Sequence, residues 1–382
     1  MRVTYICYLH SFTSMGIIAI NVVRELTKLG IDVGLHVLNL HELTKNEIES
    51  FPLETQNAIK KGLRKDSIGI FFAYPDIYEQ ARCKINVGYT GADSSGWYIT
   101  PHGSASIPCN KLMDYMLTPS DYSRKIMKNC GVSVPIELFP HGIDTDLFFP
   151  FKRTFSYPFT FLYTGELSER KGTQDLIKTF KNLYSGNKHY KLILRANSHM
   201  KHYGGQEIQD LCIDCSNIEL VWKDEGQDDL INYFNKSHVY LYPSRADWYG
   251  MTPFESLATG LPTIATCTNG YYEFLKEHII DLEYKEENID KKHPYLLGKW
   301  NSPDLEDLEK LMINISNPET YENISEWTYQ NSKKIIQDFS WEQVTKQYLI
   351  PFLERVEIKH NKNIIDLKRI ICPNYKDFKN DM

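Results

Sequence analysis

At 382 residues the chain exceeds what one ordinary hydrophobic core organises and fits two domains of usual size. Hydrophobic residues at 42% and charged residues at 24% exclude a disordered chain and a membrane-embedded body. A formal net charge of −6 gives no general attraction to nucleic acid or anionic lipid, so such a partner would need a local basic patch.

The opening "MRVTYICYLHSF" lacks the long apolar core and small-residue exit of a cleavable signal, and no run is long enough to span a bilayer; a cytoplasmic location is expected. Strands are predicted at 3–9, 33–38, 68–74, 85–89, 115–118 and 136–139. Between them lie helices, the clearest being 16–29, with Ala19, Val22, Val23, Leu26 and Leu29 along one face, and 120–129, opened by a Ser120 cap. Continuous apolar strands alternating with helices predict a parallel sheet covered on both faces. The "HSFTSMG" that enters the first helix contains no GxGxxG, which removes support for nicotinamide or flavin chemistry. A helix entrance at Ser14 and Gly16 can still present backbone N–H groups to an anion, or be an ordinary cap. The basic cluster "IKKGLRK" at 59–65 could meet a membrane surface or a phosphate backbone, or be a solvated helix end.

After the aromatic, proline-rich "FPHGIDTDLFFPFKRTFSYP" the pattern restarts, with strands predicted at 159–164, 191–196, 218–222, 238–242 and 263–266. The fold class is α/β, with two Rossmann-like domains at 1–150 and 151–340 and a last segment, 341–382, whose helix crosses back onto the first. Pro351, inside "SWEQVTKQYLIPFLERV", should kink that helix. Ligands of such sheets sit beyond the carboxyl ends of the strands, so two facing domains enclose a cleft. The eight cysteines are scattered, several in apparent strands, and suit reduced core thiols. Cys212 and Cys215 form a single CxxC with no second pair or His partner, an accidental pair rather than a zinc or redox site.

Two loops that follow strands are unusual. In "GELSERKGTQDLIKTF", Arg170 and Lys171 stand at the predicted start of a helix, where the macrodipole disfavours cations by about 0.3–1 kcal/mol each. A bound diphosphate would offset this, and so would the carboxylates of Glu166 and Glu169. In "PSRADWYGMTPFESLATG", Thr252, Pro253 and Glu255 fit a capping box with Thr252 as N-cap. The place of Glu255, in a cleft-facing loop behind Gly250, equally suits a bidentate acceptor for a vicinal diol such as a ribose. Asp247 alternatively reads as a solvated loop acid.

Taken in order, "LTPSDYSRKIMKNCGV", "IELFPHGIDTDLFFP", "GELSERKGTQDLI", "YLYPSRADWYGMTPFESLATGLPTIATCTNGYYEFL" and "FSWEQV" resemble retaining glycosyltransferases of the GT-B fold, of the family 4 type (glycosyl transferases group 1). The resemblance covers residues 85 to 355; the first 80 match mainly in pattern. It implies a UDP- or GDP-sugar as co-substrate, no further cofactor and no metal. It also implies that Glu255 binds the ribose and Asp247 the sugar hydroxyls, with Arg170 and Lys171 on the donor diphosphate. The backbone of Gly250, Met251 and Thr252 falls where the family contacts the donor's sugar and phosphate. Gly165 belongs to the diphosphate loop, Gly16 to a first-domain glycine loop, and His102 matches a first-domain His near the transferred sugar.

Glu166 replaces the Arg that many relatives carry after the loop glycine, Asp247 is one methylene shorter than the usual Glu, and Trp248-Tyr249 replaces Gly-Phe, changes expected to crowd the sugar pocket. The "DTD" at 144–146 resembles a metal-binding DxD but lies in the linker, and is read as coincidence. The implied reaction is sugar transfer to an acceptor hydroxyl with retained configuration, by same-face attack through an oxocarbenium-like state. A sugar phosphorylase, a nucleotide-sugar epimerase and a degenerate sugar-nucleotide binder are the alternatives. The acceptor stays open among a glycan, a lipid-linked sugar, a protein hydroxyl and a modified nucleobase.

Overall fold

A computed structural model of the protein describes all residues except 81–82, 98, 101–102, 203–204, 225, 291–295 and 372–382. The first half contains β1 (Arg2–Cys7), β2 (Asp32–Val37), β3 (Ile68–Phe72), β4 (Ile85–Tyr89), the two-residue strands β5 (Ile99–Thr100) and β6 (Gly103–Ser104), β7 (Tyr115–Thr118) and β8 (Ile136–Leu138). Six of these form one sheet in the order β2-β1-β3-β4-β7-β8, every pair parallel. The second half contains β9 (Phe159–Thr164), β10 (Tyr190–Ala196), β11 (Ile218–Trp222), β12 (Val239–Tyr242), β13 (Thr263–Thr266) and β14 (Ile280–Leu282). They form a second all-parallel sheet in the order β11-β10-β9-β12-β13-β14. This is the GT-B arrangement of two Rossmann-like sheets. Central strands β3, β9, β12 and β13 are buried at every residue, as continuous apolar runs between two helical layers must be.

Strand order fixes where ligands can bind. The sequence direction reverses between β1 and β3 in the first sheet and between β9 and β12 in the second, and loops diverge at these points to leave a crevice. An added hairpin, β15 (Tyr284–Asn288) with β16 (Lys299–Pro303), was not predicted. Every β15 side chain is exposed, so the segment carries no apolar alternation to read. The three-residue β14 was missed because it is too short to show a period.

Each sheet has its own core, and the chain end completes the first one. Trp341, Val344, Leu349, Phe352, Leu353 and Val356 are buried with β1 and β3 residues of the first half. Where the chain crosses over, the N–H of Ile143 donates to Phe339 O at 2.7 Å and that of Trp341 to Ile143 O at 3.3 Å. Pro351 is accommodated by a π-helical stretch, Thr345–Leu349, just ahead of the helix Ile350–Ile371. That widening is one of the ordinary answers to a proline that lacks an N–H and crowds the preceding turn. No described helix is long and apolar enough to cross a membrane.

The remaining sequence features resolve as packing. The helix Leu53–Lys61 ends at Gly62, whose φ of +59° lies in the left-handed region. Lys61 Nζ in its last turn and Arg64 Nη1 just after it pair with Asp32 at 2.8 and 2.6 Å, so part of the 59–65 cluster is a helix end tied to β2. Asp144 of the "DTD" pairs with Arg24 at 3.1 Å. Cys212 and Cys215 are free thiols.

Candidate active site

The loop after β9 begins at Gly165, whose φ of +132° an L side chain rarely adopts. A 3₁₀ turn, Glu169–Lys171, follows and is closed by Gly172 at φ +68°. A Cβ on Gly172 would stand 2.1 Å from Pro243 O, so only glycine lets this turn lie against the β12 loop. Arg170 and Lys171 therefore precede the helix Thr173–Tyr184 rather than open it. Arg170 donates to Asp93 at 3.2 Å, to Ala246 O at 3.0 Å and to Glu166. Asp93, from the first half, takes the compensating part expected of Glu169. Lys171 is buried and donates to Tyr242 Oη at 2.9 Å and to Asp247.

Asp247 is 4% exposed, which overturns its reading as a solvated loop acid. Its carboxylate accepts from Lys171, from the Tyr242 hydroxyl and from Tyr249 N–H at 3.2 Å. Burial alone would push this carboxyl up; the charges of Lys171 and Arg170, with the Lys171 and Tyr242 hydrogen bonds, reverse that and hold it below its ordinary value.

The helix after it is Met251–Ala258, with Gly250 at φ +77° as its cap. A Cβ on Gly250 would come within 2.8 Å of the Tyr271 ring. The capping box is thus corrected: the helix starts before Thr252, whose Oγ1 accepts from the Tyr240 hydroxyl at 2.6 Å. Glu255 lies a full turn inside the helix and is 4% exposed. The N–H groups of Met251 and Thr252 sit in the first turn, where helices have no internal acceptor.

A cavity of about 430 Å³ lies between the halves. Its wall includes Gly165, Arg170, Lys171, Asp247, Gly250, Met251, Thr252 and Glu255, so eight expected site residues meet in one place. The size is that of a small-molecule site, and it opens at both sheet reversals.

Gly16 is not itself on the cavity wall. Its N–H donates to the Thr13 hydroxyl at 3.2 Å, an ordinary cap of the helix Ser14–Lys28, and a Cβ there would meet His10 O at 1.9 Å. Thr13, Ser14, Met15, Ile17 and Ile18 line the cavity around it. His102 lies outside the described residues.

Three wall residues escaped the sequence reading or took on an unexpected place. Asp93 is pushed up by burial, against the pull of Arg170. Trp248 carries the expected crowding: its ring packs so tightly on Gly91 that a Cβ there would lie 1.9 Å from Cε3. The Trp248 backbone N–H donates to Asp93 at 3.2 Å and its carbonyl accepts from the Ser120 hydroxyl at 2.7 Å. The same edge is closed by Glu273, which accepts the N–H groups of Asp121 and Tyr122 at 2.8 and 3.1 Å, at a helix N-terminus.

His141 is 2% exposed, and neither ring nitrogen has a hydrogen-bond partner among the described residues. Burial pulls it down to about 3, against an opposing effect of Asp247, so the ring is neutral. Each unsatisfied buried polar atom costs about 1–3 kcal/mol. It sits in "FPHGID", which reads as linker, and only the interdomain packing makes it part of a wall.

Comparison with known proteins adds to this geometry. Residues 145–293 match the family model described as Glycosyl transferases group 1. An uncharacterized glycosyltransferase of Methanocaldococcus jannaschii is 27% identical over 183 residues, covering 47% of this chain and 44% of that protein. The match therefore spans less than half the length of that relative. Among solved structures, sucrose-phosphate synthase from Thermosynechococcus elongatus superposes with a TM-score of 0.65 at 12% identity, covering 94% of this chain and all of that one (100%). The trehalose 6-phosphate synthase of Burkholderia multivorans gives 0.64 at 10% identity over 94% and 99% of the two chains. Anabaena HepE, solved in complex with UDP-glucose, gives 0.63 at 12% identity over 91% and 98%. At these identities the structures establish the shared fold.

Proposed function

We propose that this GT-B chain, residues 145–293 of which match the glycosyl transferases group 1 model, is a glycosyltransferase that moves a sugar from a nucleoside-diphosphate sugar to an acceptor hydroxyl with retention of configuration. The observation that carries the reading is the meeting of Arg170, Lys171, Asp247 and Glu255 in one cavity, from two loops at the reversal point of the second sheet. The binding of UDP-glucose by HepE, which shares the fold, supports a nucleotide-sugar donor.

In this reading Glu255 accepts the ribose hydroxyls, and the first turn of the helix at Met251 and Thr252 offers N–H groups to the diphosphate. Arg170 and Lys171 neutralise the charge that grows on the leaving phosphate, without a metal. Asp247 faces the sugar. The acceptor hydroxyl enters on the same face as the leaving phosphate, whose oxygen takes its proton, and the protein contributes position and electrostatic stabilisation. Since Arg170 is already held by Glu166 and Asp93, the diphosphate must displace at least one of these carboxylates.

The test is incubation with a panel of UDP- and GDP-sugars, with and without sugar acceptors, following released nucleotide and the anomeric configuration of any product. Acceptor-dependent release with the donor's configuration kept is expected. Phosphate-dependent turnover, epimerised donor without acceptor, or binding without turnover would each replace the proposal with a different activity.

A further inference from the structure

We propose that His141 binds the transferred sugar: a neutral imidazole that exchanges a hydrogen bond with a sugar hydroxyl at the inner end of the cleft. The inference rests on the donor-site reading above and names a specificity residue for it.

His141 follows the end of β8 and lines the cavity from the first half. Its ring is enclosed by Phe72 and Tyr89 of that half, with centroids 6.0 and 5.7 Å away, and by Trp248 and Tyr249 of the second, at 5.7 and 4.7 Å. The last two directly follow Asp247 in the chain, and Asp247 lines the same cavity as His141. The imidazole and that carboxylate therefore border the same end of the cavity from opposite halves.

The chemistry is what packing leaves unused. A neutral imidazole holds one N–H donor and one bare acceptor nitrogen. The hydroxyls of the two tyrosines beside it are committed elsewhere: that of Tyr89 donates to Phe139 O at 2.7 Å, and that of Tyr249 to the carbonyl of His141 itself at 2.8 Å. A side chain kept only to fill this aromatic niche would be served by phenylalanine, with no polar atom to bury. A sugar hydroxyl both donates and accepts, which matches an imidazole with both nitrogens unused. The Trp248 ring stands edge-on to the imidazole, at 89°.

His141→Phe and His141→Gln separate the roles. Thermal unfolding, calorimetric titration with UDP and with GDP, and turnover of UDP-glucose and GDP-mannose are measured for each. The expected result for His141→Phe is an unchanged or raised Tm, nucleoside-diphosphate affinity within about twofold of the parent, and kcat lowered about tenfold or more, with His141→Gln recovering part of the loss. Parental turnover in His141→Phe overturns the proposal, as does a joint fall of Tm and nucleotide affinity, which marks a structural histidine. Failure of the parent protein to bind either nucleotide defeats the donor-site reading itself, and this inference with it.

Discussion

Asp93 and Arg170 meet across the cleft at 3.2 Å, joining the two halves through the cation that the donor's diphosphate is expected to use. The same Asp93 carboxylate accepts the N–H of Trp248, so one first-half acid holds two parts of the second-half wall. A negative ligand competes with this acid for Arg170.

Asp93→Asn should therefore tighten UDP or GDP binding by about threefold to tenfold, because it removes a competing charge and keeps the hydrogen-bond acceptor. The groups that face Asp93 are Arg170, Lys171, Asp247 and Glu166, and burial raises its pKa. Lowering the pH protonates the raised carboxyl in the parent first, so the advantage of the variant should shrink as pH falls. Calorimetry of both proteins across pH checks this; an advantage that grows at low pH would contradict it.

Glu255→Ala separates ribose binding from helix capping. The carboxylate lies inside the helix Met251–Ala258 and does not cap it. Charged hydrogen bonds of about 1.5–3 kcal/mol translate to a loss of about tenfold to a hundredfold in nucleotide affinity. Chemical denaturation should show a smaller change in stability than the change in binding. The reverse ranking would return Glu255 to a structural role.

The Lys171–Asp247 pair is buried, with side chains 9% and 5% exposed. Lys171→Met leaves an uncompensated carboxylate and should cost about 3–5 kcal/mol in a denaturation experiment. Adding Asp247→Asn should recover much of that stability, while turnover stays lost. In the parent, Asp247 has a pKa lowered by folding, so its contribution is complete above about pH 4, the unfolded value, and is lost as pH falls through the folded one. Asp247→Asn should lack that acid-side fall.

Gly91→Ala tests the seal between the halves. The new methyl would overlap Trp248, so the variant should lose about 1–3 kcal/mol and shift toward a more open shape, read by small-angle scattering. Trp248→Ala removes the obstacle, so the double variant should be more stable than the sum of the single effects allows. Simple additivity would show that the two residues do not meet in solution.

Most of the fold was legible because the central strands are uninterrupted apolar runs. The loops at the second reversal point were legible too, since Arg170, Lys171, Asp247 and Glu255 stand directly behind such strands. The capping box was misread for a local reason. "TPFE" has the right spacing, but Gly250 turns the chain into the helix earlier and Tyr240 occupies the Thr252 hydroxyl. Gly16 needs its missing side chain for close approach to His10, a demand that only the packed loop reveals. Asp93 and His141 carry no local signature at all. Their surroundings are built by Arg170, Trp248 and Tyr249, which are distant in sequence and arrive only when the two halves pack.

The most direct test is a set of crystal structures of the protein soaked in turn with UDP, GDP and ADP. One of the three is expected in the cleft, its ribose hydroxyls on Glu255 and its diphosphate between Arg170, Lys171 and the amides of Met251 and Thr252. A nucleotide bound elsewhere, or an empty cleft with all three, would contradict the assignment of this cavity as a donor site.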